Sequence, residues 1–382
     1  MAKTNTLTGL IPTLYEALNV VSREMVGFIP AVKRDSKVER AALGQTVRVP
    51  IGAAGELEDI VPGVNPKESG GTTPEYADIK IEHAKAAPVL WNGEEQLAVG
   101  SNGTYNQLLA DQFSDAMRKL VNSVEKDIAQ KATVGASRAY GTKGKVPFGV
   151  AGDLSDFAGV AQVLDDNGAP ISDRQLVLGS GAMMNLRGKQ SVLFKVNEAG
   201  ANDMLRNGMT DRVQNFALRY SGGIGLHKQG AGTGYIVSGA AAQGLRGLTV
   251  KTGTGVVEAG DIVNINGYSY IVSQKASSAS DKLTLNAPGL VISAADGEQV
   301  TSFGDYTGNF AFNRSAIVLA SRAPAVPNGG DSADDAMYLT DPVTGLTFEV
   351  RIYRQYRQVK YEVCLAWGAA VIKPEHVAIL AS

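Results

Sequence analysis

TYNQLLADQFSDAMRKLVNSVEKDIAQKAT, residues 104–133, runs 30 residues without a glycine or proline. Leu109, Phe113, Ala116, Met117, Leu120, Val124 and Ile128 recur every three or four positions, which puts them on one face of a helix. Thr104 and Gln107 make a capping box at its start. Asp115 with Lys119, and Asp127 with Lys131, are i,i+4 pairs in the favourable order. At 1.5 Å per residue such a helix is roughly 45 Å long. That is more than a compact domain needs, and it predicts a plate-shaped subunit with a spine, a shape suited to assembly.

Working outward, residues 1–40 read as an N-terminal arm. Thr13 and Glu16 form a second capping box, Leu14, Leu18, Val21 and Met25 form a stripe, and Gly27 and Pro30 end the helix. That helix either packs on its own core or reaches a neighbour. In residues 41–88, strands at QTVRVPIG and ADIKIEHAKAAPVLW flank a tip rich in glycine and proline. The expectation is an extended loop, functional or merely solvated, and acidic through Glu56, Glu58, Asp59, Glu68, Glu75, Asp78 and Glu82.

Beyond the long helix, residues 140–230 alternate between the two patterns: LSDFAGVAQVLDDNG is helical, RQLVLGS a strand and GAMMNLRGKQ a short helix. Residues 231–309 carry closely spaced strand signals and none for helix. Asn266-Gly267 between DIVNI and YSYIVS marks a two-residue hairpin. The segment reads as an inserted β-barrel of about six strands. FAFNRSAIVLASRAP then resumes the interrupted domain. Near the carboxyl end Phe348, Val350 and Ile352 alternate, as do Tyr361, Val363, Leu365 and Trp367, which predicts a long antiparallel pair with one face buried. Arg351, Arg354, Arg357 and Lys360 make that pair the most basic stretch.

The chain has 382 residues, 44% hydrophobic and 19% charged, as in an ordinary globular protein. A formal net charge of -2 gives no whole-chain signature of nucleic-acid binding. One cysteine, Cys364, excludes an internal disulfide framework and fits a reducing compartment. No run of 18 apolar residues predicts a membrane span, and Glu16 interrupts what would otherwise resemble a signal peptide. His83, His227 and His376 stand apart in sequence, with no second ligand at metal spacing, so no metal or cofactor is expected. Cys364 sits mid-strand among apolar residues and reads as a structural thiol. No phosphate-binding loop, dinucleotide fingerprint or nucleophile elbow occurs, and the expectation is a protein that is not an enzyme.

The order of segments resembles the major capsid proteins of tailed bacteriophages with the Hong Kong 97-type fold, an α+β fold. It looks most like the P-22-like podovirus coat proteins, which carry an inserted β-barrel. MRKLVNSVEKDIAQKATVGAS looks like the end of that family's spine helix, GMTDRVQNFALRYSGGIGLHKQGAGTGYIVSGA like the approach to the insertion, GVVEAGDIVNINGYSYIV like barrel strands, and YEVCLAWGAAVIKPEHVAIL like the closing strands. The resemblance implies an N-terminal arm (1–40), an extended loop (41–88) and a peripheral domain (89–144 with 340–368, including spine helix 104–133). It also implies an axial domain (145–230 with 310–339 and 369–382) and an inserted barrel (231–309). It implies self-assembly as hexamers and pentamers into a procapsid and then a mature head, with scaffolding and portal proteins as partners. The product would be a virion shell built in the host cytoplasm around double-stranded DNA that is not read by sequence. In one respect the chain departs from the family. The family's long charged loop early in the barrel is here SGAAAQGLRGLTVKTG, with Arg246 and Lys251 and no acid, which turns attention to Lys275, Asp281 and Lys282 in SQKASSASDK.

Inter-subunit contacts are expected where Glu56, Glu58 and Asp59 of one copy meet Arg351, Arg354, Arg357 or Lys360 of another, with Lys275 and Asp281 serving between capsomers. A nanocompartment shell, a β-rich adhesion or tail protein, and a hydrolase with a spatially assembled site are the competing readings. The long helix and the missing secretion signal count against the adhesion reading.

Overall fold

The computed structural model describes residues 10–22, 26–51, 75–100, 105–190, 212–277 and 282–382. Helix α1 (Ile11–Ser22) and the single turn α2 (Phe28–Ala31) lead to strand β1 (Lys33–Ala41). Among the described residues strands β2 (Thr46–Ile51) and β3 (Glu75–Lys80) pair only with each other, as a ribbon. Next come β4 (His83–Asn92), α3 (Gly93–Gly100) and the spine α4 (Tyr105–Gly135). Strand β5 (Arg138–Gly141), helix α5 (Ser155–Asp166), strand β6 (Arg174–Leu178) and helix α6 (Ser180–Lys189) alternate as expected. Three short strands follow, β7 (Arg212–Val213), β8 (Phe216–Tyr220) and β9 (Leu226–His227).

The next six strands are β10 (Tyr235–Val237), β11 (Gly247–Lys251), β12 (Ile262–Ile265), β13 (Tyr268–Ile271), β14 (Lys282–Thr284) and β15 (Gln299–Ser302). The chain ends with β16 (Tyr306–Asn313), β17 (Ile317–Pro324), β18 (Asp335–Thr340), β19 (Thr347–Gln355), β20 (Gln358–Val371) and β21 (Val377–Ala381). The fold is α+β.

The spine is 31 residues long. Its stripe is the predicted one: Leu109, Phe113, Met117, Leu120, Val124 and Ile128 are all buried. They meet α1 and α2 residues such as Leu14, Leu18 and Phe28, and β19 and β20 residues such as Phe348, Val363 and Trp367, in one core. The Asp115–Lys119 pair closes at 2.6 Å. Lys131 instead turns to Glu82, 2.6 Å away. Thr104, and with it the predicted capping box, lies outside the described residues.

A six-stranded sheet runs β1-β17-β20-β19-β18, with β4 on the other edge of β20. In its β19–β20 pair the predicted inward residues Phe348, Val350, Ile352, Tyr361, Val363, Leu365 and Trp367 are all buried, but so are Glu349, Cys364 and Ala366 between them, so that part of the pair is buried on both faces. A 13-stranded sheet runs from the barrel strands through β13-β5-β21-β16-β6-β8-β7. Within it the barrel order is β14-β11-β10-β15-β12-β13, and the bridge Val272↔Leu285 brings the two ends of that order together. A separate apolar core fills it, including Val237, Leu248, Val263, Ile265, Tyr270 and Leu285. The Asn266-Gly267 turn has φ of 50° and 79°, the left-handed pair that a two-residue hairpin requires.

FAFNRSAIVLASRAP is two strands rather than one return. β16 belongs to the large sheet and β17 to the six-stranded one, with a tight turn at Arg314–Ala316 between them. The segment 310–339 is therefore divided between the sheets. Strands β16 and β17 are buried on both faces, so no alternation marks the break between them; Asn313 marks it, accepting from Ser315 N at 3.0 Å. Residues 33–41, read as arm, form β1, parallel to β17.

Candidate assembly surfaces

The basic strand pair reaches the surface at the β19–β20 hairpin, but most of its charge is committed within the subunit. The Arg351 side chain is only 11% exposed; it meets Asp331 at 2.6 Å, and Tyr353 OH donates to the same carboxylate at 2.9 Å. Arg354 meets Asp334 at 3.1 Å, and Lys360 pairs with Glu362. The turn is Tyr356-Arg357, with Arg357 left-handed at φ 56°. Tyr356 is 90% exposed, and the Arg357 guanidinium lies over its ring.

In the barrel, Lys275 meets Glu258 at 2.7 Å and Lys251 meets Asp296 at 2.7 Å. Glu56, Glu58, Asp59 and Asp281 lie outside the described residues.

Two surface grooves stand beside these elements. One, of about 620 Å³, runs between β4 and the spine and is lined by Ala86, Pro88, Leu90, Leu108, Gln112 and Lys119. Leu90 and Leu108 are exposed, and among the described residues the second edge of β4 pairs with no strand. Such an edge presents unpaired backbone groups, and Pro88 interrupts them. The other, of about 770 Å³, is walled by α5, β5 and the β12–β13 turn, with Arg138, Lys145, Asp153, Lys189 and Tyr268 on its lining. Leu97 of α3 is exposed, and the same end of the sheet is fastened where Gly93 N donates to Arg357 O at 3.1 Å.

Glu125 is a residue that the sequence reading passed over. It lies within the apolar face of the spine, 1% exposed. Its carboxylate accepts from the N–H groups of Gly27, Phe28 and Ile29 at 3.3, 3.0 and 2.8 Å, and from Ser221 Oγ at 2.6 Å. A helix start leaves its first N–H groups without partners, and here a residue nearly 100 positions away in the chain supplies the acceptor for α2. Burial pushes this carboxyl's pKa up, against the pull of the four donors. The signal available in sequence was one acid between Val124 and Ile128 on the buried face.

Other ion pairs tie distant segments. Arg40 of β1 grips the buried Glu349 with both terminal nitrogens, at 2.5 and 3.1 Å, and Arg322 reaches Asp35 at 2.9 Å. Asp261, buried at the neck of the barrel, accepts from Glu258 N and Gly230 N and meets His227 at 2.9 Å. Burial pushes the Cys364 thiol up to about 12, helped by Glu362 and Glu349, so it stays protonated and inert. The fold also collects Glu82, His83 and Asp127, whose ligand atoms all lie within 4.8 Å of one another. Separations of one and 44 positions hid that cluster in the sequence. No described helix is long and apolar enough to cross a membrane.

The chain matches no protein-family profile and no curated protein. Among solved structures it is similar to one from Gordonia phage Cozz, at 11% identity and a TM-score of 0.46, covering 93% of this chain and 85% of that one. A structure from Mycobacterium phage Che8 is similar at 13% identity and 0.44, covering 88% and 84%. A virus-like particle from Pyrococcus furiosus is similar at 11% and 0.43, covering 97% and 98%.

Proposed function

We propose that this chain is the major shell subunit of a tailed bacteriophage, assembling into an icosahedral procapsid and then a mature head around double-stranded DNA. The observation that carries the reading is the correspondence, element by element, between the segment order that resembles phage coat proteins and the order of the built architecture. An N-terminal helix is followed by a ribbon, the spine, a mixed region, a barrel of six strands, two return strands and the final pair.

The ribbon adds support. A two-stranded ribbon alone is marginal in water. This one packs its root through Val49, Ile79 and Ile81 onto Val318, Ala320 and Ala366. Beyond the root it offers Tyr76 and the exposed Arg48–Asp78 pair to the outside.

In this reading residues 1–40, 41–88, 89–144 with 340–368, 145–230 with 310–339 and 369–382, and 231–309 are the arm, extended loop, peripheral, axial and inserted units. Copies meet as hexamers and pentamers. A scaffolding protein and a portal are the further partners, and the shell resides in the virion. Of the basic strand pair, Arg357 at the hairpin tip is the best-placed partner for the acids Glu56, Glu58 and Asp59 of a neighbour, because Arg351, Arg354 and Lys360 already face acids of their own copy. Exposed pairs are worth roughly 0.2–1 kcal/mol each, so they set register and encounter rate more than total affinity. Apolar burial then supplies most of the association energy.

Size-exclusion chromatography with negative-stain microscopy of the expressed protein tests the proposal. Megadalton shells or rings are expected, and a stable small particle under all assembly conditions would overturn it. Double-stranded DNA in native particles separates a virus from a nanocompartment. Arg357→Glu should slow assembly and change its salt dependence while leaving the subunit's melting temperature unchanged.

A further inference from the structure

We propose that Glu82, His83 and Asp127 form a binding site for a divalent transition-metal ion of the zinc class, which fastens the root of the ribbon to the spine helix. Glu82 lies in the link between β3 and β4, His83 opens β4, and Asp127 sits in the last third of α4. They come from two elements that are joined side by side, and each offers one ligand atom within 4.8 Å of the others.

Three features point to a cation. The first is geometric. His83 Nε2 and Asp127 Oδ1 are 3.3 Å apart. That is a contact at the long end of the N–H···O hydrogen-bond range. It is the edge of a tetrahedron whose metal–ligand bonds are about 2.0–2.1 Å, a separation of about 3.3 Å.

The second is an unsatisfied acceptor. The Asp127 side chain is 9% exposed, and its Oδ2 is buried with no hydrogen-bond partner. Buried carboxylate oxygens are normally satisfied, and one left bare costs more than a neutral group does. A cation bound by this carboxylate removes that cost.

The third is charge and orientation. Lys131 lies 2.6 Å from Glu82 Oε2, while Asp127 is paired with His83. The His83 ring packs on Trp367 at 5.0 Å, which fixes the plane in which its nitrogens point. Imidazole with two carboxylates is a set suited to Zn²⁺ and its neighbours. Three protein ligands leave a fourth position for water.

The consequence is mechanical. Glu82 N already donates to Trp367 O at 3.1 Å, on β20. A metal on the Glu82 and His83 side chains would reinforce the spine's hold on the turn from which the ribbon departs, which Lys131 and Asp127 already make through Glu82 and His83. The site lies within one copy, so its occupancy does not depend on assembly.

The test uses the full chain stripped with chelator and titrated with Co²⁺ as a spectroscopic probe, followed by Zn²⁺ competition. One Co²⁺ per subunit is expected, with visible absorption of the four-coordinate type that Zn²⁺ abolishes. Loss of an outer-shell partner alone typically weakens metal sites 10–100-fold, so His83→Gln and Asp127→Asn should each weaken binding by more than about 100-fold. Lys131→Met, which frees Glu82 from its competing cation, should tighten it. The Lys131 variant keeps the experiment decisive even where a ligand variant folds poorly. No Co²⁺ uptake at micromolar metal, or equal uptake by parent and ligand variants, would overturn the proposal.

Discussion

Replacing Glu125 with alanine should remove more stability than its single carboxylate suggests. In the native chain that group is the acceptor for three backbone N–H groups at the start of α2 and for Ser221 Oγ. Alanine leaves the three N–H groups buried and bare, at about 1–3 kcal/mol each. Relief from burying the carboxylate offsets part of this, and breaking a buried charged network typically costs about 3–5 kcal/mol. Against a total of about 5–15 kcal/mol, such a loss is a large share of the folding free energy and should lower the unfolding midpoint clearly. Glu125→Gln keeps one acceptor oxygen but turns an amide NH₂ toward the donors, so a smaller loss of about 1–3 kcal/mol is expected.

The pH dependence has a definite sign. Burial raises this carboxyl's folded pKa, so the native state holds the proton more tightly than the unfolded chain. The group's contribution is therefore most favourable below the ordinary carboxylate range and diminishes as pH rises through the folded value. Glu125→Gln removes that segment of the pH profile. Urea unfolding of unassembled subunits, followed by tryptophan fluorescence across the acid range, measures both effects. An alanine variant within about 1 kcal/mol of the parent, or a glutamine variant with the parent's pH profile, would refute the reasoning.

Gly368→Ala should loosen the ribbon root, because a Cβ there would lie 2.0 Å from Lys80 O, a backbone atom that can move only with its strand; overpacking of this kind costs about 1–3 kcal/mol, and proteolysis between β2 and β3 should accelerate. Gly267→Ala meets no neighbour within 4 Å, so its penalty is the left-handed backbone alone, about 1–2 kcal/mol, visible as a lower melting temperature with the barrel's NMR pattern retained. Cys364, with its thiol pushed up to about 12, should resist alkylation at pH 8 in the folded chain and react once urea unfolds it; prompt labelling of native protein would contradict its placement.

The elements that could be read in the sequence are those with a period. The spine declares itself through a 3.6-residue stripe, the final pair through alternation, and the β12–β13 turn through Asn266-Gly267. Strands buried on both faces have no such period, so no alternation in FAFNRSAIVLASRAP shows that β16 and β17 belong to different sheets. β1 was hidden for the opposite reason: KRDSKVERA is mostly charged, and it becomes a strand because Arg40 finds Glu349 and Asp35 finds Arg322 across the chain. Contacts of that kind depend on tertiary placement. So do the acceptor role of Glu125 and the Glu82–His83–Asp127 cluster, which no local spacing encodes. The basic stretch was legible as composition, but of the acids that occupy it Asp331 and Asp334 come from the connection before β18, and Glu362 from β20 itself, two residues from Lys360.

The chain passes between the two sheets three times, through the spine α4, through Arg314–Ala316 and through Pro374–His376. The last two passages meet at one atom: Ala316 O accepts from Ile372 N at 2.8 Å and from Lys373 N at 3.3 Å. The spine and residues of both sheets, Phe310 and Ile379 on one side and Phe348 and Trp367 on the other, fill one apolar core. The shared carbonyl therefore pins at one edge two sheets that the spine's core already joins, and a change that frees Ala316 O should loosen that edge before it loosens the core.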